Sequence, residues 1–215
     1  MKKIFLVAAL AVFTSSAFAQ LLTGKSASLA REEPSANWST LYWQYNPVSF
    51  SADGNSHSVD GLSMGFNWNK SLSANLPLFL EFGIGGQICL SDKEIKDFVM
   101  VSAKVPIGVN YVFNIPNTPI DLIPSAGLDF RVNLHGQYKG FNYKKMEYDD
   151  VDVFSKDEMG DSDHTWNRVQ VGFHIGGYVR FWHKLLLGAT YQFDFNEIAK
   201  DTKMNQANLT LGICF

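Results

Sequence analysis

The residues best able to do chemistry in this 215-residue sequence are charged side chains at alternate positions of apolar segments. They comprise four carboxylates and four cations: Glu81, Asp121, Asp129 and Asp194 with Lys104, Arg131, Arg168 and Arg180. Alternate residues of an extended chain share one face, so these charges fall opposite the apolar side chains. Opposite charges on one face predict mutual pairing, and a narrow charged pore is the functional alternative.

The nearest candidate for a catalytic set is Ser162, Asp163 and His164. Neighbours in an extended chain point in different directions, whereas a hydrolytic triad needs side chains that converge in space. His174 has no second histidine on its face, which favours a hydrogen bond over a metal site. We therefore predict no catalytic residue, no cofactor and no metal ligand.

The segment from Gly136 to Thr165 is too long for an ordinary connection and is therefore expected to be functional or mobile. It has a net charge of −4. Its aromatic and methionine residues are Tyr138, Phe141, Tyr143, Tyr148, Phe154 and Met159. This composition is typical of a recognition loop, and a solvated mobile loop is the alternative. Asp149, Asp150 and Asp152 could bind calcium, but their spacing lacks the full calcium-loop pattern and its glycine.

Strands with a two-residue period must position the charged residues. In 205–215, Ala207, Leu209, Leu211, Ile213 and Phe215 alternate with small or polar residues. The same pattern recurs in Ser39–Phe50, Val59–Lys70, Leu76–Leu90, Phe98–Phe113, Ile120–His135, Trp166–Phe181 and Leu185–Asn196. Eight such strands predict an all-β, antiparallel, up-and-down transmembrane barrel, because lipid offers no partner for an open sheet edge. A soluble periplasmic sandwich is the alternative.

Several local irregularities are expected within these strands. Val48 and Phe50 break the parity of the preceding apolar residues, which predicts a bulge at Asn46-Pro47. Pro106 and Pro124 predict a second bulge, or a lateral opening for an apolar ligand, because proline cannot donate a ladder hydrogen bond. A turn through 114–119 would place Lys104 opposite Asp129.

The connections between strands alternate between long and short, as in outer-membrane barrels, and an even strand number places both termini in the periplasm. Aromatic residues collect at both strand ends and predict two interfacial girdles. One girdle contains Trp68, Tyr111, Phe113, Phe181, Trp182 and Phe215, and the other contains Phe50, Phe98, Trp166, Phe193 and Phe195.

The first nineteen residues have the pattern of a secretory signal peptide: Lys2 and Lys3, an apolar run, and Ala17-Phe18-Ala19 before the cut. Residues 20–38 are expected to form an irregular periplasmic extension, and 39–215 the barrel. Without the signal the formal net charge is −5, which argues against a nucleic-acid partner. Cys89 and Cys214 fall at opposite strand ends, over ~20 Å apart, so two free thiols facing the lumen are expected.

Lys104 to Phe113, Pro119 and Ala126-Gly127 resemble the central strands of the bacterial outer-membrane β-barrel family often described as porin-like. Leu185 to Phe193 and the final Leu-Gly-Ile-Cys-Phe resemble its closing hairpin, and the wider type is the eight-stranded barrel of the OmpA transmembrane domain and OmpX. The resemblance implies outer-membrane lipid and lipopolysaccharide as surroundings, and a monomer. It also implies that the barrel-assembly machinery reads Phe215. No peptidoglycan-binding segment follows the last strand, so OmpA-like anchoring is not expected.

Together these patterns predict a non-enzymatic outer-membrane barrel with a structural or surface-interaction role and an unknown extracellular partner. A narrow pore or carrier for small solutes or apolar ligands is the alternative. A lipid A-modifying enzyme that uses Ser162 and His164 is a second alternative.

Overall fold

The computed structural model describes residues 37–52, 55–73, 75–91, 97–161 and 165–215. The predicted signal peptide, nearly all of the predicted extension, and Ser162, Asp163 and His164 lie outside these residues. Within them, no helix is long and apolar enough to cross a membrane.

The described chain consists almost entirely of strands joined by tight connections. The elements are β1 (Trp38–Ala52), β2 (Asn55–Ser71), β3 (Leu78–Ser91), β4 (Phe98–Tyr111), β5 (Phe113–Asn114), β6 (Ile120–Asn142), β7 (Glu147–Asp152), α1 (Lys156–Met159), β8 (Val169–Phe181), β9 (Leu185–Asp194) and β10 (Thr202–Cys214).

Eight of these strands form a closed antiparallel wall. Consecutive strands pair with each other, and β10 returns to pair with β1 from Thr40 opposite Cys214 to Ala52 opposite Thr202. The short β5 continues β4 against β6, whereas β7 pairs with the part of β6 that extends beyond the wall. The predicted eight-stranded antiparallel barrel is therefore confirmed.

Through the middle of the wall, side chains alternate, with apolar groups outside and polar groups inside. Leu209, Leu211 and Ile213 are exposed on the outer surface, while Gln206 and Asn208 of the same strand are buried. This is the reverse of a water-soluble protein and is the pattern of a barrel whose outer surface meets lipid. The soluble sandwich is excluded because the wall is one closed sheet with its apolar residues facing outward.

We call the end with Trp38 and Phe215 the termini end, and the opposite end the hairpin end. At the hairpin end the distribution of polarity reverses, and apolar side chains turn inward. They form the hairpin-end cluster: Val48, Phe50, Val59, Cys89, Phe98, Met100, Ile198 and Met204, against which Tyr138 and Trp166 pack. Outward positions of β1 and β2 at this end are polar, and the Ser49 and Ser56 hydroxyls form a hydrogen bond there at 2.7 Å. On this side, the wall has the polarity of a soluble protein.

The reversal overturns the prediction of a bulge at Asn46-Pro47. Tyr45 lies opposite Leu209 and Val48 lies opposite Gln206, so the register of β1 against β10 is unbroken. Val48 and Phe50 change parity because the inner face becomes apolar, not because a residue is inserted. The predicted loop after Phe50 is likewise mostly strand, since β1 and β2 continue to Ala52 and from Asn55.

The predicted hairpin-end girdle is wrong for three of its five aromatic residues. Phe50, Phe98 and Trp166 face inward, with ring centroids 5.2 to 5.9 Å apart in the hairpin-end cluster. Phe193 and Phe195 are exposed on the outer surface, as expected. At the termini end, Trp68, Trp182 and Phe215 are also exposed.

A second apolar group, the termini-end cluster, closes the other end of the interior. It comprises Trp38, Phe79, Val112, Ile123, Leu186 and Cys214, with Tyr178 packed against it. Cys89 and Cys214 therefore lie in different clusters, and both are free and buried, as predicted. The interior thus consists of a polar middle layer between two apolar layers.

The β4–β6 register also differs from expectation. Lys104 lies opposite Arg131, and Asp129 lies opposite Pro106. The turn closes through Ile115 N donating to Ile120 O at 3.0 Å, because Pro119 has no N–H with which to close the ladder one position earlier. The one register shift in this pairing falls between Val101 and Ser102, so neither Pro106 nor Pro124 causes a bulge or a lateral opening.

Candidate functional site

Seven of the eight predicted interior charges are buried inside the barrel. They are Glu81, Lys104, Asp121, Asp129, Arg131, Arg180 and Asp194. Arg168 is the exception, because it precedes the first residue of β8 and escapes the strand alternation. It is exposed, donates to Leu134 O at 3.0 Å, and lies 4.3 Å above the ring of Phe154.

The charged pair nearest the termini end is formed by Asp121 and Arg180. Arg180 donates to one Asp121 oxygen through Nε at 2.9 Å and Nη2 at 2.8 Å, and its guanidinium lies 4.5 Å from the ring of Trp38. Asn114 Nδ2 donates to the other oxygen at 2.5 Å. This carboxylate is therefore fully engaged and fixes β5, β6 and β8 together.

His174 supplies the fourth cation-capable side chain of the interior in place of Arg168. Its Nδ1 lies 2.6 Å from Asp129 Oδ2, as expected for a histidine that forms a hydrogen bond inside the barrel. Glu81 accepts hydrogen bonds from Asn67 and, at 2.6 Å, from Asn110. The interior thus contains four carboxylates with Lys104, Arg131, Arg180 and this imidazole, and the described pairs join neighbouring strands or, for Arg131 with Asp194, β6 to β9.

Arg131 is buried below the hairpin-end cluster and forms an ion pair with Asp194. Its Nη2 also lies 3.2 Å from the sulfur of Met204. Its Nε and Nη1, and the Oε1 atoms of Gln87 and Gln170, have no partner among the described residues. Unpaired donors and acceptors in one layer are suited to ordered water, which bridges such groups in folded proteins.

Two small cavities of about 20 Å³ each lie in the interior, and Tyr42, Glu81 and Tyr178 line both. The first also reaches Trp38 and Leu186 of the termini-end cluster. Each has room for about one water molecule, which is far too little for a continuous channel. Tyr42 fits here because Gly65 and Gly85 leave the space its hydroxyl occupies. The paired, filled interior agrees with mutual neutralisation rather than with an open pore.

Part of the predicted loop from Gly136 to Thr165 is a paired, two-stranded ribbon. Pairing of β6 with β4 ends at Gln137 opposite Val99, but β6 continues to Asn142 and pairs with β7. We call residues 138–142 and 147–152 the ribbon. Its turn is held by Asn142, whose Oδ1 accepts from Lys144 N and Lys145 N at 3.1 Å each. The expectation of an irregular loop is therefore wrong for this part of the segment.

The returning chain braces one face of the ribbon. Val151 and Val153 are fully buried, and Tyr143 N donates to Glu158 O at 3.0 Å. Asp152 N donates to Glu158 Oε2 at 2.9 Å, which ties α1 to β7. The ribbon is thus supported by its own return segment and, through Tyr138, by the hairpin-end cluster.

The opposite face and the turn expose large apolar side chains. Phe141, Tyr143, Met146 and Tyr148 have exposed fractions of 36%, 54%, 71% and 82%, and we call them the tip patch. The ring centroid of Phe141 lies 5.1 Å from that of Tyr143 and 5.9 Å from that of Tyr148, both edge to face. These rings lie beyond the paired wall, so lipid contact does not account for their exposure.

Carboxylates surround the tip patch but do not converge. Lys145 donates to Asp149, which holds the pKa of Asp149 below its usual range and raises the pKa of Lys145. Asp152 accepts from Phe154 N at 2.9 Å. Asp149, Asp150 and Asp152 therefore do not form a calcium site. In the described ranges, no three carboxylate, histidine or cysteine side chains are grouped closely enough to hold a metal ion.

No protein-family model matches the chain, and no curated protein sequence matches it significantly. Solved structures do match. Neisserial surface protein A shares 11% identity over 83% of this chain and 95% of its own, with a TM-score of 0.49. Ail, the attachment invasion locus protein of Yersinia pestis, shares 12% over 84% and 99%, with a TM-score of 0.44. The outer membrane enzyme PagL shares 12% over 79% and 98%, with a TM-score of 0.46. At these identities and scores no residue role passes to this chain.

Sequence reasoning missed the ribbon and the two apolar layers. A signal for the layers exists, because Val48, Phe50, Phe98 and Met100 are apolar at positions whose parity is inward. The ribbon has no comparable signal. Its two faces both mix aromatic and charged residues, so the two-residue period does not show.

Proposed function

We propose that this chain is an integral outer-membrane barrel that presents the ribbon to the exterior as a recognition surface. The tip patch carries this proposal, because its four large apolar side chains are exposed on a braced, ordered ribbon that extends beyond the wall. Exposed apolar groups that neither lipid nor a core explains commonly mark contact surfaces.

The position in the membrane rests on the outer surface of the wall. An apolar belt with aromatic residues near its ends suits acyl chains flanked by head groups, so lipid and lipopolysaccharide are the proposed surroundings. The short turns lie at the termini end, which we assign to the periplasm. Phe215 is exposed there, while its backbone pairs with Ser39 at 2.9 and 3.1 Å. This leaves its ring free for the assembly machinery.

Transport is the less favoured function, because apolar layers seal the interior at both ends. A solute would have to displace Phe50, Phe98 and Trp166, then the paired middle layer, then Trp38 and its neighbours. We expect no discrete conductance steps from the purified chain in planar lipid bilayers, and regular openings would favour the pore.

We also propose that the chain is not an enzyme. The residue types that could suggest lipid A modification are Ser162 and His164. The substitutions Ser162→Ala and His164→Ala are expected to leave the mass spectrum of lipid A unchanged in cells that produce the chain. A change in acyl composition that depends on either residue would replace the recognition proposal with the enzymatic one.

The recognition proposal is tested by selecting a phage-displayed random peptide library on the full chain in lipid nanodiscs. Selected clones are then measured on a variant with Phe141→Ser and Tyr148→Ser. Phe195→Ser is the matched control, since it removes an exposed aromatic ring at the same end but off the ribbon. We expect most clones to lose binding to the ribbon variant alone. Clones that bind all three proteins equally, or no enrichment over empty nanodiscs, would contradict the proposal.

A further inference from the structure

The tip patch presents aromatic faces beside a carboxylate on the same face of the ribbon. Tyr148 lies opposite Phe141 across the ribbon, and Asp150, two residues further along β7, lies on the same face opposite Lys139. The carboxylates of Glu147, Asp150 and Asp157 form no hydrogen bond or ion pair with any other part of the chain that the structure describes. Each of these groups is exposed, so each is open to a partner.

The cations of the same region are already partly neutralised. Lys145 pairs with Asp149, and Lys139 lies 3.4 Å from Asp97. Residues 137–161 contain seven carboxylates and four lysines, so their formal net charge is −3. The segment as a whole therefore carries a net negative charge, which disfavours phosphate, sulfated glycans and nucleic acid.

Aromatic faces and free carboxylates together are the groups that bind guanidinium and ammonium ions. A cation over an exposed ring is attracted to the negative face of the ring, and a carboxylate adds a charge-assisted hydrogen bond to the same head group. The apolar part of the patch, Met146 with Tyr143, offers contact to neighbouring apolar side chains. This combination selects polypeptide over a simple cation.

We propose that the tip patch binds a cationic, extended polypeptide segment of a partner protein, with arginine or lysine side chains over Tyr148 and Phe141 and against Asp150. This inference rests on the proposed recognition function and specifies its partner. The ribbon is preordered by α1 and by the hairpin-end cluster, so binding does not have to order it.

The test uses the full chain in nanodiscs of zwitterionic lipid and two fluorescent peptides, one alternating arginine with leucine and the other alternating glutamate with leucine. Fluorescence polarisation is measured at about 50 mM and about 500 mM NaCl. We expect binding of the arginine peptide only, weakened at high salt.

The variants locate the binding site. Tyr148→Ala should weaken binding of the arginine peptide about tenfold, and Tyr148→Phe should retain it. Asp150→Asn should weaken it and flatten its salt dependence. Lys144→Gln, the matched control on the same turn, should bind equally or more tightly.

Heat-dependent gel migration confirms that each variant is folded. Ribbon-dependent binding of the glutamate peptide, or of a sulfated glycan, overturns the cationic partner but leaves the recognition function standing. Arginine-peptide binding that is unaffected by Tyr148→Ala and by Asp150→Asn also overturns it. If the library selection yields no ribbon-dependent clones either, the recognition function fails as well.

Discussion

At the scale of single residues, the interior is filled by large side chains that need particular small neighbours. Tyr42 crosses the polar layer only because Gly65 and Gly85 have no Cβ. Gly86, one residue further along β3, faces the other way. A Cβ there would meet nothing nearer than Ser102 O at 3.9 Å. Gly85 and Gly86 of β3 therefore differ in role: Gly85 faces the interior and leaves space for Tyr42, whereas Gly86 faces outward, where a Cβ would fit.

We predict that Gly65→Ala destabilises the barrel by about 1–3 kcal/mol, because the new methyl group collides with the Tyr42 hydroxyl and with Ile84 O at 2.6 Å. Gly86→Ala is the matched control and should change the free energy of unfolding by less than about 1 kcal/mol. Urea titration in lipid vesicles, followed by tryptophan fluorescence, measures both. Equal effects of the two substitutions would mean that Tyr42 does not fill the interior as described.

Arg131 is the interior cation most dependent on one partner. Its Nε and Nη1 have no protein partner in the described ranges, so Asp194 is the carboxylate that compensates its charge. We expect Asp194→Asn to cost roughly 3–5 kcal/mol of unfolding free energy, because it leaves a buried charge unpaired. Asp60→Asn, which affects only the exposed bond from Tyr45, should cost no more than about 0.5 kcal/mol in the same titration. A small effect of Asp194→Asn would show that water reaches Arg131 freely.

At the scale of elements, the β8–β9 turn is short enough to require an unusual backbone. Trp182 and His183 both have left-handed φ angles, 50° and 57°, and Lys184 N donates to Phe181 O at 2.9 Å. Three residues join the strands, and the two central residues of the turn from Phe181 to Lys184 have the positive φ angles that asparagine and glycine normally supply. Trp182 and His183 adopt these φ angles at a conformational cost, and the Trp182 indole is exposed at the termini end.

We therefore predict that His183→Gly stabilises the barrel by about 1 kcal/mol, because glycine adopts positive φ without steric cost. The lost contact between His183 and Asp121 is exposed on the histidine side and offsets little of this gain. Lys184→Gly is the control and should be neutral or destabilising, since φ at that residue is not positive. If His183→Gly destabilises the barrel, the histidine contact matters more than the strain.

At the scale of the whole molecule, three environments follow one another along the barrel axis. In the middle, apolar groups face out and polar groups face in. At the hairpin end, Phe50, Phe98 and Trp166 face in, and the outward positions of β1 and β2 are polar. At the termini end, both faces are apolar. The sequence predicts the middle almost completely, since alternation between lipid and a polar interior is a two-residue signal visible at Leu209 or Ile175.

Other features depend on information that no local pattern carries. The residue opposite Lys104 depends on how the turn at Pro119 closes. The direction of the Phe50 side chain depends on where its strand leaves the lipid. The direction of Arg168 depended on a strand boundary one residue away, the kind of detail that local patterns define least well. The ribbon depended on pairing between two segments without alternation, so the part of the chain proposed for recognition was the hardest to predict.

The central claim, an inside-out wall with the ribbon exposed to the exterior, is tested most directly by labelling intact cells with a membrane-impermeant maleimide. Single substitutions Tyr148→Cys, Leu211→Cys and His183→Cys sample the tip patch, the apolar belt and the β8–β9 turn. The native thiols are buried and should give little background. We expect Tyr148→Cys to be labelled in intact cells and His183→Cys to be labelled only after permeabilisation. Leu211→Cys should be labelled in neither state. Labelling of Leu211→Cys, or of His183→Cys with Tyr148→Cys protected, would contradict it.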